Sequence, residues 1–221
     1  MNTNYLFPIP VSTKILPDSN IMDFVNTIEF IPYIGGNGDN IEVTADNCHL
    51  MISKDKQVLD TYTELAQLRQ NIFLAAEVYW RDVIGVDSTV SLKIMHSWFT
   101  RHDTGGKHWN RPHSHSSSII TSTMYLQTAE GCGNLIFNKN IHYLNLFPMM
   151  IDLDYITENQ INSTKFSITP KNNLIVFFPS HLEHYTESNK STVTRFTLNV
   201  DWWFEGLARK NVNSYGFESI Y

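Results

Sequence analysis

From residue 89 onward the chain is a succession of short β-branched and aromatic runs, each broken by Gly, Asn, Pro or Ser, and this punctuation limits the fold more than any other feature. Such runs are too short for stacked helices and read as strands of an antiparallel sandwich or barrel, at about 90–100, 118–127, 134–138, 165–169, 173–178 and 192–203. The front of the chain has a different texture. Across residues 60–84, Leu65, Leu68, Ile72, Ala76, Tyr79 and Val83 recur at helical spacing, preceded by a Thr61-Tyr62-Thr63-Glu64 capping box and followed by Gly85 as a stop. That stripe reads as packing surface rather than as a cofactor box. A shorter helix is expected over about 19–30, and 35–40 is a glycine-rich connector. Residues 6–11 read as an edge strand, because Pro8 and Pro10 lack the amide hydrogen that an inner strand needs. The pattern predicts an α+β fold in which N-terminal helices pack on a jelly-roll core.

The expected organisation is a single domain: a helical front with its edge strand at 1–88, a jelly-roll core at 89–203 and a C-terminal tail at 204–221. Segment 139–163 is long and weakly patterned, the texture of functional loops, a lid or unrecognised strands. With 42% hydrophobic and 17% charged residues, the chain has too much apolar surface for disorder and too few charges for a solvated coiled coil. A net charge of −6 argues against a duplex nucleic-acid partner, which needs clustered Lys and Arg to neutralise phosphates. Cys48 and Cys132 offer neither a disulfide framework nor a CxxC zinc site, so a reducing compartment fits. No apolar run spans a bilayer and the start lacks a basic leader, from which a soluble cytoplasmic protein without a membrane partner is expected.

Histidines carry the chemical signal. His102, His108, His113 and His115 crowd one turn-rich segment, and if 113–115 is extended, the period-two geometry points His113 and His115 to one face, where they can share a cation. A third ligand must come from elsewhere. His184 is the best candidate, just beyond the apolar strand 174–178. On the strand 194–199, alternation puts Arg195, Thr197 and Asn199 on one face and Phe196 and Leu198 on the other. An arginine on a core strand needs an anion; its planar fork matches a carboxylate, and Thr197 can add a hydrogen bond.

Taken in order, Trp98, Arg111-Pro112-His113-Ser114-His115, Met124-Tyr125-Leu126, Gly133-Asn134-Leu135-Ile136-Phe137, Phe178-Pro179-Ser180 to His184, and Arg195 to Asn199 resemble the Fe(II)/2-oxoglutarate-dependent dioxygenases. The likeness is strongest to a bacterial and phage branch related to prolyl hydroxylases and covers roughly 93–200. It implies a double-stranded β-helix core, with Fe(II) as metal, 2-oxoglutarate as co-substrate and O2 as oxidant, and oxidative decarboxylation to succinate and CO2. It matches His113 to the first iron ligand, His184 to the distal histidine, and Arg195 to the residue that pairs with the far carboxylate of 2-oxoglutarate. Thr197 matches the hydroxyl residue of an Arg-x-Ser pattern, and Tyr125 a tyrosine that contacts the same carboxylate. The primary substrate it favours is a prolyl or other protein side chain, with a small metabolite or nucleobase left open. At His115 the sequence departs from the superfamily, which usually has aspartate there. Either His115 is the third ligand, or it points away and a water or another residue completes the set.

Structural roles compete with each of these readings. His49, His102, His108 and His142 are expected to face solvent, His96 to pack on a strand, and the tryptophans 98, 109, 202 and 203 to be core or rim aromatics. His181, near both Glu183 and His184, could ligate or support from behind, and Arg195 could instead form a structural ion pair. Trp109, Asn110 and Arg111 flank the site and could touch substrate. Two other function classes remain: a cupin-type three-histidine dioxygenase, which would not require Arg195 and Thr197, and a non-enzymatic jelly-roll module, which would carry no stoichiometric iron.

Overall fold

The computed structural model describes residues 8–33, 48–105, 109–139, 154, 156–157, 159 and 161–205. Its strands are β1 (Ser12–Ile15), β2 (Phe30–Pro32), β3 (Leu50–Ser53), β4 (Ser91–His102), β5 (Ile120–Gln127), β6 (Leu135–Asn138), β7 (Lys165–Ile168), β8 (Leu174–Pro179), β9 (His184–Thr186) and β10 (Arg195–Glu205). They pair antiparallel into a major sheet of order β1-β8-β5-β10-β4-β3-β2 and a minor sheet of order β7-β6-β9. The two sheets face each other: Tyr125, Val176 and Phe178 of the major sheet pack with Leu135, Phe137 and Ile168 of the minor one, and the Phe137 and Phe178 rings meet edge to face at 4.9 Å. This is the α+β double-stranded β-helix that the strand pattern and the resemblance imply.

The outer face of the major sheet is covered by helix. Helices α1 (Met22–Val25), α2 (Val58–Thr61) and α3 (Ala66–Val78) lie in the front of the chain, and α3 continues into a π-helical turn at Tyr79–Val83. Leu65, Leu68, Ile72, Ala76 and Tyr79 of the expected stripe are buried against Phe99, Met124, Leu198, Val200 and Trp202. Val83 leaves the stripe and is 46% exposed, because the wider π turn rotates the residues after Tyr79 out of helical phase. Gly85, with φ of +80°, ends the helix in the left-handed conformation that glycine adopts without strain.

Several local expectations differ from the structure. Thr61 closes α2 instead of capping a longer helix; Tyr62 beside it is extended, and no side-chain cap forms. The edge strand begins at Ser12, past Pro10, where every residue can donate an amide; it is indeed the outermost strand of the major sheet. The helix expected over 19–30 is the single turn α1, and β2 follows it. Strands β2, β3 and β9 had no sequence signal: each has only three or four residues, too few for a period to show. The connector 35–40 and most of 139–163 lie outside the described residues.

Leu198 is fully buried under α3, whereas Leu74 on that helix is 58% exposed. Leu198→Ala is expected to destabilise the protein by about 2–5 kcal/mol in urea denaturation and Leu74→Ala by less than about 0.5 kcal/mol. Equal losses would place the core on the wrong face of β10.

Candidate functional site

Period-two alternation builds a polar cavity on the inner face of the major sheet. On β10, Phe196, Leu198, Val200 and Trp202 go to the helical side, while Arg195, Thr197, Asn199 and Asp201 line the cavity. Trp98, Thr100 and His102 of β4 and Thr121 and Thr123 of β5 join them, giving a chamber of about 330 Å3.

The three histidines meet at its mouth. His113 and His184 exchange backbone hydrogen bonds of 3.0 and 2.9 Å, and His115 donates its amide to Ser180 at 2.8 Å, so 113–115 runs antiparallel beside 180–184. Ligand-capable atoms of His113, His115 and His184 all lie within 4.8 Å of one another. His115 therefore turns toward the other two rather than away. Each ring has its Nδ1 engaged: His113 with the Arg111 carbonyl at 2.7 Å, His184 with the Leu182 carbonyl at 2.9 Å, and His115 with the Asp201 carboxylate at 2.7 Å. Oxygens of these kinds only accept, so every Nδ1 carries the hydrogen and every Nε2 keeps a lone pair. Burial, reinforced for His184 by His113, holds the His184 imidazole down to about 3, and burial also lowers His113 below the usual range. The His113 and His184 rings are thereby neutral near pH 7, the state in which imidazole binds a metal.

At the other end of β10 lies Arg195, only 3% exposed. Its guanidinium donates to the carbonyls of Cys132 and Gly133 and to Nδ1 of His102, and no carboxylate reaches ion-pair distance of it among the described residues. The alternative structural ion pair is thus absent among the described residues, and the Glu187 carboxylate acts on the buried cation only at longer range. Tyr125 does not line the chamber. It is fully buried beside Arg195, and its hydroxyl has no hydrogen-bond partner among the described residues, although burial raises its pKa and keeps the phenol protonated. Asn199 donates to Thr100 at 2.9 Å and to Thr197 at 3.2 Å while accepting from Thr123, so the Thr100 and Thr197 hydroxyls keep their own hydrogens to donate elsewhere.

Gly133 is required where it stands: its φ is +88°, and a Cβ there would collide with the Glu187 carbonyl. A larger groove of about 1030 Å3, lined by Trp109, Lys165, Tyr185 and Glu187, includes the neighbours of the site histidines, but Tyr185 alternates with His184 on β9 and turns to the opposite side of the minor sheet.

His102 is a correction. It is 1% exposed and anchors Arg195, because it is the last inward residue of β4 rather than part of a turn. His181 is exposed and outside the trio, and Glu183 accepts from Asn138 at 2.7 Å. Asn110 lines the chamber, Trp109 meets Tyr185 edge to face and Trp98 stacks on His115. His108 and His142 lie outside the described residues. Asp201 was missed, although extending the Arg195-Thr197-Asn199 alternation by two residues would have found it.

A family model described as "Putative 2OG-Fe(II) oxygenase" matches residues 96–201. Among solved structures, a 2OG-Fe(II) oxygenase family oxidoreductase from Burkholderia pseudomallei is similar at 12% identity, covering 86% of this chain and 84% of its own, with a TM-score of 0.56. A Pseudomonas putida prolyl-4-hydroxylase is similar at 12% identity, covering 90% and 94%, with a TM-score of 0.53. HygX from Streptomyces hygroscopicus, solved with nickel, 2-oxoglutarate and hygromycin B, is similar at 11% identity, covering 88% and 82%, with a TM-score of 0.52. No curated protein sequence matches the chain. Residues 96–201, just under half of the chain, thus match the 2OG-Fe(II) oxygenases, enzymes that use Fe(II), 2-oxoglutarate and O2, and the fold is shared with solved members of that family.

Proposed function

We propose that the protein is a hydroxylase in which His113, His115 and His184 hold Fe(II) through Nε2, and Arg195, Thr197 and Tyr125 hold the far carboxylate of 2-oxoglutarate. The observation that carries this reading is the pairing of two unmet demands in one cavity: three imidazoles turned together at one end, and at the other a buried guanidinium with no carboxylate at ion-pair distance among the described residues. Both groups fit the residues present, because nitrogen donors of this kind suit Fe(II) and a fork of N–H donors suits a carboxylate.

Bound Fe(II), with 2-oxoglutarate as the two-electron donor, supplies the O2 activation that hydroxylates a C–H bond. The chain's own residues orient and shield. The carbonyls of Arg111 and Leu182 and the Asp201 carboxylate fix the three rings, so metal binding needs little reorganisation. Arg195 is held by the Cys132 and Gly133 carbonyls, Thr197 keeps a hydrogen to donate, and the Tyr125 hydroxyl lacks only an acceptor. A carboxylate reaching Arg195 and Thr197 from the chamber satisfies both, with the Tyr125 phenol packed beside Arg195. Leu135 lines the chamber while Phe137 and Phe178 of the same apolar cluster pack against the His184 ring, so apolar side chains border the site and strengthen charge pairing within it.

A chamber of about 330 Å3 is near the lower end for small-molecule sites. Beside 2-oxoglutarate it leaves room for a group of about side-chain size at the open mouth, compatible with a prolyl or other protein side chain as substrate. A cupin-type three-histidine dioxygenase would have no use for the buried cation and its hydroxyls.

Anaerobic titration with Fe(II) and then 2-oxoglutarate is expected to develop a visible metal-to-ligand charge-transfer band, with succinate released on aeration. A purified protein that takes up no stoichiometric iron would favour a non-enzymatic module. His184→Ala should lose iron and turnover; Arg195→Ala should keep iron while 2-oxoglutarate affinity falls about a hundredfold or more, the cost of leaving a carboxylate unpaired in a buried site. Unchanged binding of both ligands in both variants would contradict these roles. Gly133→Ala, whose Cβ would displace the Glu187 carbonyl that also accepts from Arg195, should weaken 2-oxoglutarate binding more than metal binding in the same titration.

A further inference from the structure

We propose that Asp201 is the carboxylate of this metal site: a positioning residue that acts through His115 and sets one hydrogen bond behind the metal the negative charge that a ligating aspartate would supply directly. The inference rests on the three-histidine reading above and extends it to a residue outside the ligand set.

The contact is short and sheltered. Asp201 Oδ1 lies 2.7 Å from His115 Nδ1, with the two side chains 7% and 12% exposed. The same oxygen accepts from the Thr121 hydroxyl at 2.9 Å. Behind Thr121 the hydroxyls form a buried series of one direction: Thr121 spends its hydrogen on the acceptor-only carboxylate, so Ser180 must donate to Thr121 at 2.9 Å and Ser118 to Ser180 at 2.7 Å. Ser180 also accepts the His115 amide, so one turn holds both the ring's backbone and the network behind its partner. Asp201 itself stands at a register shift, where β10 pairs Asp201 with His96 but Trp202 with Ile94, the kind of bulge that re-aims a side chain.

A buried carboxylate is costly without a positive partner. Among the described residues no Lys or Arg lies within ion-pair distance of Asp201. Arg195, on the same strand and face, is six residues away, about 20 Å at the usual rise per residue. The charge is therefore aimed through the imidazole at the space the three rings enclose. The arithmetic closes there: Fe(II) carries two positive charges, 2-oxoglutarate brings one carboxylate to it, and Asp201 supplies the other negative charge. Arg195 separately balances the far carboxylate. His-x-His in place of the usual His-x-Asp thus leaves the count unchanged and moves one charge outward. A carboxylate behind the ring also fixes the Nδ1–H tautomer and makes Nε2 a better donor.

The test compares wild type, Asp201→Asn and Thr121→Val, each checked by thermal denaturation without metal. Anaerobic Fe(II) and Co(II) affinities are measured by competition with a chromophoric chelator, and the charge-transfer band is recorded with Fe(II) and 2-oxoglutarate. Asp201→Asn, nearly isosteric and uncharged, should lose about 10- to 100-fold in metal affinity. Its band should move to shorter wavelength, because less negative charge makes iron harder to oxidise. Thr121→Val keeps the charge and should lose less, with its band near the wild-type position. An Asp201→Asn protein that binds metal within about twofold of wild type, with the band unmoved, overturns the inference even if its thermal stability drops, since that pattern marks a structural carboxylate. A wild-type protein that binds neither metal overturns the three-histidine reading, and this inference with it.

Discussion

The alternation of β10 is the constraint on which the rest depends. Paired along both edges, to β4 and β5, the strand cannot slip by a residue without turning its whole apolar set into the cavity. Phe196, Leu198, Val200 and Trp202 fix the register by burying under the helices, and that fixes where Arg195, Thr197, Asn199 and Asp201 must point. Core packing and site geometry are in this sense two faces of one decision. The polar face survives between two sheets because nearly every group on it has a partner: Asn199 ties three threonines, Thr121 ties Asp201 to Ser180, and His102 ties Arg195.

Two groups in that network stay electrostatically incomplete. Arg195 is a buried cation surrounded by carbonyl dipoles, and Asp201 is a buried anion held by an imidazole and a hydroxyl. Separated along the strand, neither can neutralise the other, so each end of the chamber retains a demand of opposite sign. This is selection by charge rather than by shape: one end favours a cation accepted by imidazole nitrogens, the other a compact carboxylate. A folded chain that keeps both demands buried gives up some stability to do so, which is common where a site is preformed for its ligands.

The parts of this arrangement that could be read from sequence follow a simple rule. Long periodic segments were legible: the stripe Leu65 to Tyr79 and the alternation Arg195 to Asn199 each repeat often enough for side-chain direction to follow from spacing. His113, His115 and His184 could be nominated by type and spacing, but their convergence required the bridge between His113 and His184, a contact across 71 residues that no local pattern encodes. His102 was misread because it follows a strand's last visible alternation and precedes a turn, so sequence alone could not tell inward from outward. Asp201 continues the Arg195 to Asn199 alternation one step further, just before the aromatic run Trp202 to Phe204 ends the contrast between polar and apolar positions. The pairing of His102 with Arg195 and of His115 with Asp201 depends on neighbouring strands, and strand adjacency is tertiary information.

The bridge itself has one more implication. The segments bearing His113–His115 and Ser180–His184 are joined directly by three backbone hydrogen bonds and otherwise belong to chain stretches far apart in sequence. An ion seated among their rings would act as a rivet between those stretches, closing a long loop in the folded state only. Ligand supply and conformational integrity are then one linked equilibrium, so metal scarcity would be felt first as a loosening of the mouth rather than as an empty but rigid centre.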